Sequence, residues 1–399
     1  MKALILAGGK GEELFPIAVG KPKGLVKIVG KPVLQRIIEA LSSNGVNDVT
    51  IVVDKDDTQI QDFFGNGNNF GIRIKYVKQV EYGIEKAILS AEKEMSNENN
   101  FLLLHSDIIF EDTFITKVLN TFENTSSEIV LGLALQGEVQ EFGVAKINSQ
   151  GFVDKIITGE KGLGNYVIAG ISLMTSEIFD YLKKTSSFID ALNKTISDGK
   201  KIAAAVWPYT WIDIGRPWDI INANKFILSK LDKQIISSKA EISNSKIIGP
   251  VIIEEDVTIK EGAVIRGPAY IGKNAYIGNN TLIREFSTLE NNSVVGMGVE
   301  LKNSVIMPHG TIHRLSYVGD SVIDEYAVLS SGTITVNYIP GQQEIIVKVK
   351  DKQVNTGLMK LGAFIGHHAR IGVHSTIYPG IKISPNKTIP HGSVVKKDI

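Results

Sequence analysis

The feature that most constrains this chain is a six-residue repeat in its C-terminal half. From Ile253 an aliphatic side chain recurs at every sixth position, through Ile259, Ile265, Ile271, Ile277, Ile283, Leu289, Val295 and Leu301. Four residues after each comes a small or β-branched residue, as at Val257, Ala263, Ala269, Ala275, Thr281, Ser287, Ser293 and Val299. A helix needs an apolar period of about 3.6 and a strand one of about 2, so neither alone produces this spacing. Short strands that turn a corner every hexad, roughly three hexads to a coil, do produce it. The aliphatic residues then stack inside a prism, and the small ones fit at its tight corners. The register blurs after Met307, returns at Ile323 and Leu329, and breaks over residues 336–362. It resumes at Ile365, Ile371, Ile377, Ile383, Ile389 and Val395. The interruption reads as a loop thrown out of the coil, and loops projecting from a rigid scaffold commonly carry function.

The N-terminal half is organised differently. Strand-like runs at 3–6, 49–53, 72–77, 101–104 and 129–135 alternate with amphipathic stretches such as 33–42 and 85–95. That alternation predicts a mostly parallel sheet with helices on both faces, and ligands bound beyond the carboxyl ends of the strands. Residues 217–231 read as a helix that opens at Pro217 and leads into the repeat. A chain of 399 residues supports two cores of this kind, with domains expected at 1–230 and 231–399.

Composition excludes several classes. The 43 basic and 43 acidic residues balance, so no net charge argues for nucleic acid or an anionic membrane surface. Cysteine is absent, which removes disulfides, thiolate nucleophiles and cysteine metal sites. No apolar run approaches the ~20 residues that span a bilayer. The run Ala3-Leu4-Ile5-Leu6-Ala7 is short for a signal peptide and reads as a buried first strand, so a cytoplasmic enzyme is expected.

That strand runs into Gly8-Gly9-Lys10-Gly11-Glu12-Glu13-Leu14. Glycines there let the backbone approach a phosphate or a base, with amides as anion donors. The run lacks the ending of a phosphate loop and the spacing of a dinucleotide fingerprint. Pro22-Lys23, Lys31-Pro32-Val33, Gln79, Gly83, Asp107, Gly143, Ala169-Gly170-Ile171 and Trp211 through Trp218 follow in order. Together they resemble the sugar-1-phosphate nucleotidyltransferase family, over most of residues 1–225. The resemblance implies an α/β, Rossmann-like nucleotide-diphospho-sugar transferase domain. In it Leu6, Ala7, Gly8, Gly9, Gly11, Gln79, Gly83 and Asp107 bind nucleotide, and Gly143, Glu160 and Gly170 bind sugar. It also implies that Lys23 contacts phosphate while Asp107 and Asp213 hold Mg²⁺. The reaction implied is attack of a sugar-1-phosphate oxygen on the α-phosphorus of a nucleoside triphosphate, UTP or dTTP, expelling pyrophosphate. Catalysis of that kind rests on alignment and charge neutralisation.

The repeat half is similar to the acetyltransferase part of the bifunctional uridylyltransferases and their archaeal relatives. The matching stretches are Arg284, Lys302, Leu315 through Asp320, Gly332-Thr333, Asn337-Tyr338 and Lys360 through Gly366. The resemblance implies a left-handed parallel β-helix and a sugar-phosphate site at Arg284, Lys302 and Tyr317. It places acetyl-CoA at Ser331, Asn337 and Tyr338, and the catalytic position at Arg314 or its neighbour His313.

Several positions depart from the family pattern. The arginine of the glycine loop is Glu13, whose charge is expected to repel a triphosphate. The glycine before the metal aspartate is Ser106, and the sugar-contacting asparagine is Ile168. The Glu-Lys pair is displaced to Glu160-Lys161. In the repeat half the basic histidine is Arg314, a substrate asparagine is Val328, and a glycine-alanine pair is Ser330-Ser331. An arginine stays protonated and cannot serve as a base, so acetyl transfer is expected to be poor. Strand alternation is expected to turn His313 to the face opposite Arg314. The leading expectation is a nucleotidyltransferase fused to an acetyltransferase-like β-helix, a homotrimer through its flat faces. A non-catalytic relative that binds nucleotide or sugar phosphate is the alternative, as is a monofunctional enzyme whose repeat only oligomerises.

Overall fold

The protein is described here from a computed structural model, which covers residues 1–136, 143–158, 166–341 and 344–399. It divides into two compact units. The first comprises Met1–Lys10, Pro22–Leu25 and Val33–Asp213; the second comprises Gly11–Lys21, Val26–Pro32 and Ile214–Ile399. The sequence puts the join at 230, whereas by compactness Pro217–Leu228 and two N-terminal segments go with the repeat. Asn224 on that helix shows why. It is fully buried, donates to the Phe286 carbonyl at 2.8 Å and accepts from the Thr288 hydroxyl at 2.6 Å.

Among the described residues the first unit is built on a nine-stranded sheet. Lys2–Ala7, Asp48–Asp54, Arg73–Gln79 and Asn100–His105 run parallel. Tyr166–Thr175 lies antiparallel beside Asn100–His105 and Ile129–Leu135, so the sheet is mixed rather than uniformly parallel. The central strands read as continuous apolar runs because both faces are covered; Leu4, Ile5, Phe101, Leu102 and Leu104 are fully buried. The stretch expected as one helix at 85–95 is two, Ile84–Ser90 and Glu92–Met95. Gly8, Gln79 and Asp107 all stand at or beyond carboxyl ends of parallel strands.

Among the described residues the second unit carries three parallel sheets of eight strands, the sides of a left-handed β-helix. The repeat explains itself in this geometry. Ile259, Ile265, Ile271, Ile277, Ile283, Leu289, Val295 and Leu301 point inward and are fully buried, each worth about 2 kcal/mol by transfer. The small residues fill the interior beside them, and the residue just before each of them except Ala269, which follows Pro268, turns the corner. Asp256, Gly262, Asn274, Asn280, Phe286, Asn292 and Gly298 occupy the left-handed region, with φ between 53° and 74°. Glycine and asparagine tolerate that region best.

The blurred register has a local cause. Leu289 pairs with Ile306 and Leu301 with Val318, so the coil there is seventeen residues rather than eighteen, and Ile306 to Ile323 repeats the deletion. Hydroxyls restore the bonds lost at the shortened corner. Ser321 N–H donates to Ser304 Oγ at 3.0 Å, Gly319 N–H to Thr335 Oγ1 at 3.0 Å, and Ala363 N–H to Ser321 Oγ at 3.0 Å. The interruption at 336–362 holds a hairpin, Ile346–Val349 with Lys352–Asn355, rather than loop alone. No helix among the described residues is long and apolar enough to cross a membrane.

Candidate functional site

In the first unit Gly8 and Gln79 meet. Gln79 is buried and its Nε2 donates to the Gly8 carbonyl at 3.1 Å; a Cβ on Gly8 would lie 2.4 Å from the Gln79 side chain. A side chain on Gly8 would have to displace the Gln79 amide from this bond, so Gln79 and Gly8 together set the turn that follows the first strand. Gly9 beside it has open space where a Cβ would go. Gly83 adopts φ 127° just before helix Ile84–Ser90. Lys10 Nζ lies 4.4 Å from the centroid of the Tyr82 ring, and the Tyr82 hydroxyl donates to Asp54 Oδ2 at 2.6 Å. That bond holds the Asp54 carboxyl below the usual carboxylate range.

Lys23 Nζ lies 3.3 Å from Asp107 Oδ2, both side chains about one-fifth exposed. Asp213 is brought to the same place by backbone pairing. Ile212–Asp213 runs antiparallel to Ile108–Ile109, with Asp213 opposite Ile108, the residue after Asp107. The tryptophan motif is tied in as well, because Trp211 Nε1 donates to the Ala169 carbonyl at 2.8 Å. Gly170 follows, at φ 66°, and a Cβ there would lie 2.9 Å from the His105 ring. Burial holds the His105 imidazole below its ordinary pKa; Asp107 opposes this and Lys23 adds to it. A neutral ring beside an ion pair is a polar contact that the sequence reading did not single out. Gly143 is packed differently. A Cβ there would meet Ile168, Ile189 and Ile156 carbons at 3.1 to 3.4 Å. Glu160 lies outside the described residues.

In the second unit the residues expected to bind a sugar phosphate occupy successive coils of one sheet. Leu282 stands opposite Glu300 and Glu300 opposite Tyr317, while Lys302 stands opposite Gly319. Arg284 Nη1 donates to Glu300 Oε1 at 2.9 Å, and Lys302 Nζ lies 3.7 Å from Asp320 Oδ2. Asp320 is buried, accepts from Asn303 at 2.6 Å and also accepts from Asn337 Nδ2. Burial, reinforced by Asp320 and Glu300, pushes the Tyr317 phenol up. Gly319 leaves the room that this cluster needs, since a Cβ would lie 2.6 Å from the Tyr317 hydroxyl. Arg284, Lys302, Tyr317 and Asn337 are therefore assembled at the shortened corner.

His313 and Arg314 lie elsewhere on the coil. Both are exposed, in a turn that ends at Leu315 with φ 60°. The expected alternation between opposite faces fails because strand Thr311–Ile312 has already ended. Ser331 accepts the His374 amide at 2.9 Å through its carbonyl, and Tyr338 is exposed. Glu13 is not a bare charge either: Lys350, at the tip of the hairpin, lies 2.9 Å from its Oε1 and 4.0 Å from Glu12 Oε2.

Comparison with known proteins decides the family. The model of the nucleotidyl transferase family matches residues 2–230, more than half of the chain. The chain belongs to that family. A Sulfurisphaera tokodaii protein described as a bifunctional sugar-1-phosphate nucleotidylyltransferase/acetyltransferase is 37% identical over 413 residues, covering all of this chain and 98% of its own. A Methanococcus maripaludis protein described as bifunctional protein GlmU is 37% identical, covering all of this chain and 95% of its own. The crystal structure of a putative glucose-1-phosphate thymidylyltransferase from Bacillus anthracis, in complex with a sucrose, superposes with TM-score 0.52 at 26% identity. It covers 57% of this chain and 94% of its own.

Other residues escaped sequence reasoning. His105, Tyr82, Glu300 and Asp320 all join the clusters described, yet none stands out in composition or spacing. Arg266 has a readable signal. It follows Ile265, which pairs with Ile283, and so occupies the corner position of Arg284 one coil earlier.

Proposed function

We propose that the first unit joins a sugar-1-phosphate to a nucleoside triphosphate, UTP or dTTP, with release of pyrophosphate. The observation that carries this reading is Lys23 paired to Asp107, with Asp213 held beside them by strand pairing. Two carboxylates that leave most positions to water and substrate suit a hard divalent cation such as Mg²⁺. Asp107 and Asp213 would hold the cation, which would supply charge neutralisation to the reacting phosphates. The protein's own groups align the partners. The loop at Gly8 and Gly9, fixed by Gln79, receives the nucleotide, and Lys23 exchanges Asp107 for a phosphate oxygen. A sugar phosphate oxygen then bonds the α-phosphorus as the bond to the β-phosphate oxygen breaks. Gly170 and His105 line the sugar side, with Gly143 and Glu160 as further sugar contacts.

The test is pyrophosphate release with Mg²⁺ across UTP, dTTP and the other triphosphates, each against glucose-1-phosphate and N-acetylglucosamine-1-phosphate. Turnover with one pair at least is expected. Silence with every pair would make the chain a binding protein.

The second unit binds an amino-sugar phosphate through Arg284, Lys302 and Tyr317, and acetyl-CoA near Ser331, Asn337 and Tyr338, but transfers acetyl poorly. Amine attack on a thioester needs a base near neutrality, which Arg314 cannot supply. Acetylation of glucosamine-1-phosphate should be weak in the parent and gain in Arg314→His. Strong parent activity that vanishes in His313→Ala would assign the base to His313 instead. The repeated outward side chains of the flat faces suit a homotrimer, and light scattering that gave a monomer at micromolar concentration would refute it.

A further inference from the structure

Two buried carboxylates of the β-helix reach segments far from them in the chain. Glu290 and Asp324 hold the same corner position, each following an inward residue, Leu289 or Ile323. In neighbouring coils that position is Gly272, Met307 and Gly366, so coiling does not call for an acid there. Both are nevertheless buried, at 0% and 6% exposure, where an ionised group is costly unless hydrogen-bonded. Burial raises the Asp324 carboxyl, as that cost requires.

Asp324 Oδ1 accepts the adjoining Glu325 N–H at 2.8 Å, and each carboxylate also accepts a backbone amide from the far end of the chain. Ala18, in the left-handed region at φ 59°, donates its N–H to Asp324 Oδ2 at 3.1 Å, 306 positions away. Lys21 pairs with the adjoining Glu325. Gly30 donates its N–H to Glu290 Oε1 at 2.9 Å, 260 positions away. Gly30 has φ 79°, and a Cβ on it would lie 2.4 Å from the Tyr270 hydroxyl, so this contact admits only glycine. Segments Gly11–Lys21 and Val26–Pro32 are thus held by the β-helix, and the stretch between them, Pro22–Leu25, carries Lys23.

We propose that Glu290 and Asp324 are positioning residues for nucleotidyl transfer, fixing the backbone on either side of Lys23. The inference rests on the reaction proposed above for the first unit. A lysine that aligns a phosphate works only from a narrow set of positions, and a shift of about 1 Å can cost a hundredfold in rate. The carboxylates act through the chain and touch no substrate.

The experiment uses the full chain with Asp324→Ala, Asp324→Asn, Glu290→Leu and Glu290→Gln. The Ala and Leu variants should lower kcat for pyrophosphate release by about ten- to a hundredfold, with KM for both substrates nearly unchanged. The amide variants keep an acceptor for Ala18 or Gly30 and should recover most of that loss. Hydrogen exchange should quicken across residues 15–30 in the Ala and Leu variants and stay slow in the inward strands, which separates loosening from unfolding. Lys21→Ala, a change at a partly exposed pair, keeps the test alive if a core variant does not fold; it should lower kcat in the same direction by less. Faster exchange at residues 15–30 with unaltered kcat would overturn the proposal, and so would amide variants as impaired as Ala and Leu. A parent that releases no pyrophosphate defeats the proposed reaction, and this inference with it. An active parent with indifferent variants defeats the inference alone.

Discussion

The two units solve the problem of making a site in opposite ways. In the nucleotidyl transferase unit each site residue has its own local device: a glycine that a Cβ would block, a glutamine bonded to a backbone carbonyl, a short strand pair that delivers Asp213. In the β-helix one device serves throughout, and a site appears by stacking side chains from equivalent positions of successive coils. Unique geometry fails at single residues. Stacked geometry should fail gradually, because each coil touches only its neighbours.

The largest expected effect tests the first half of that contrast. Asp213→Ala should lower nucleotidyl transfer by on the order of a thousandfold, the scale of losing several kcal/mol of charge stabilisation. Asp107→Ala and excess chelator should do the same. Binding of glucosamine-1-phosphate by the β-helix, followed by calorimetry, should not change in either variant. Full turnover in Asp213→Ala would show that the metal rests elsewhere.

Ile259→Ala probes the second half. The side chain is fully buried in the β-helix core, so the cavity should cost about 2–5 kcal/mol. The loss should lower the unfolding transition of the second unit and leave pyrophosphate release at 25 °C within about twofold of the parent, since Ile259 lies coils away from Glu290. A matching collapse of turnover would show that the β-helix responds as a whole.

Much of this contrast was legible in the sequence, for reasons that differ between the halves. The hexad could be read because each inward position repeats the same burial, so Ile259 and Ile283 look alike in sequence and in space. Motif order sufficed for the first unit because a glycine such as Gly170 is called for by its left-handed backbone and its close approach to the His105 ring. The proposed β-helix site was harder, since it sits where the repeat loses a residue. Asp320 lies inside the matching stretch Leu315 through Asp320, but shows its burial and its bonds from Asn303 and Asn337 only in the structure. The hold of Glu290 and Asp324 on Ala18 and Gly30 could not be read at all. Hydrogen bonds donated by distant backbone amides to a carboxylate leave no side-chain pattern at the amide end.

A smaller effect is expected at the stacked site. Lys302→Ala should weaken glucosamine-1-phosphate binding by about 1.5 kcal/mol, roughly tenfold, the value of a charge-assisted contact. Asp320, 3.7 Å away, already shares that charge, which limits the loss. Glu300→Gln should act in the opposite direction, freeing Arg284 from its 2.9 Å partner for phosphate and tightening binding by under about 1 kcal/mol. Weaker binding in Glu300→Gln would mean that the carboxylate orients Arg284 more than it competes for it.

The smallest effect is expected where the sequence promised a large one. Glu13 replaces an arginine of the family, and a bare carboxylate beside a polyphosphate would cost several kcal/mol at an effective dielectric of ~20. On that reasoning Glu13→Arg should tighten triphosphate binding strongly. The structure changes the expectation, because Lys350 lies 2.9 Å from Glu13 Oε1 and already offsets its charge. The pair is about half exposed on the lysine side, so its own worth is under about 1 kcal/mol. Glu13→Arg would set two cations against each other, and any gain in attraction for phosphate is spent partly on that repulsion. Calorimetric titration with UTP or dTTP should therefore show a change of less than about tenfold for Glu13→Arg. Lys350→Ala leaves Glu13 uncompensated and should weaken binding by a similar small factor. A hundredfold gain in Glu13→Arg would mean that the hairpin lysine does not screen Glu13 in solution, and that the uncorrected reading of the sequence was right.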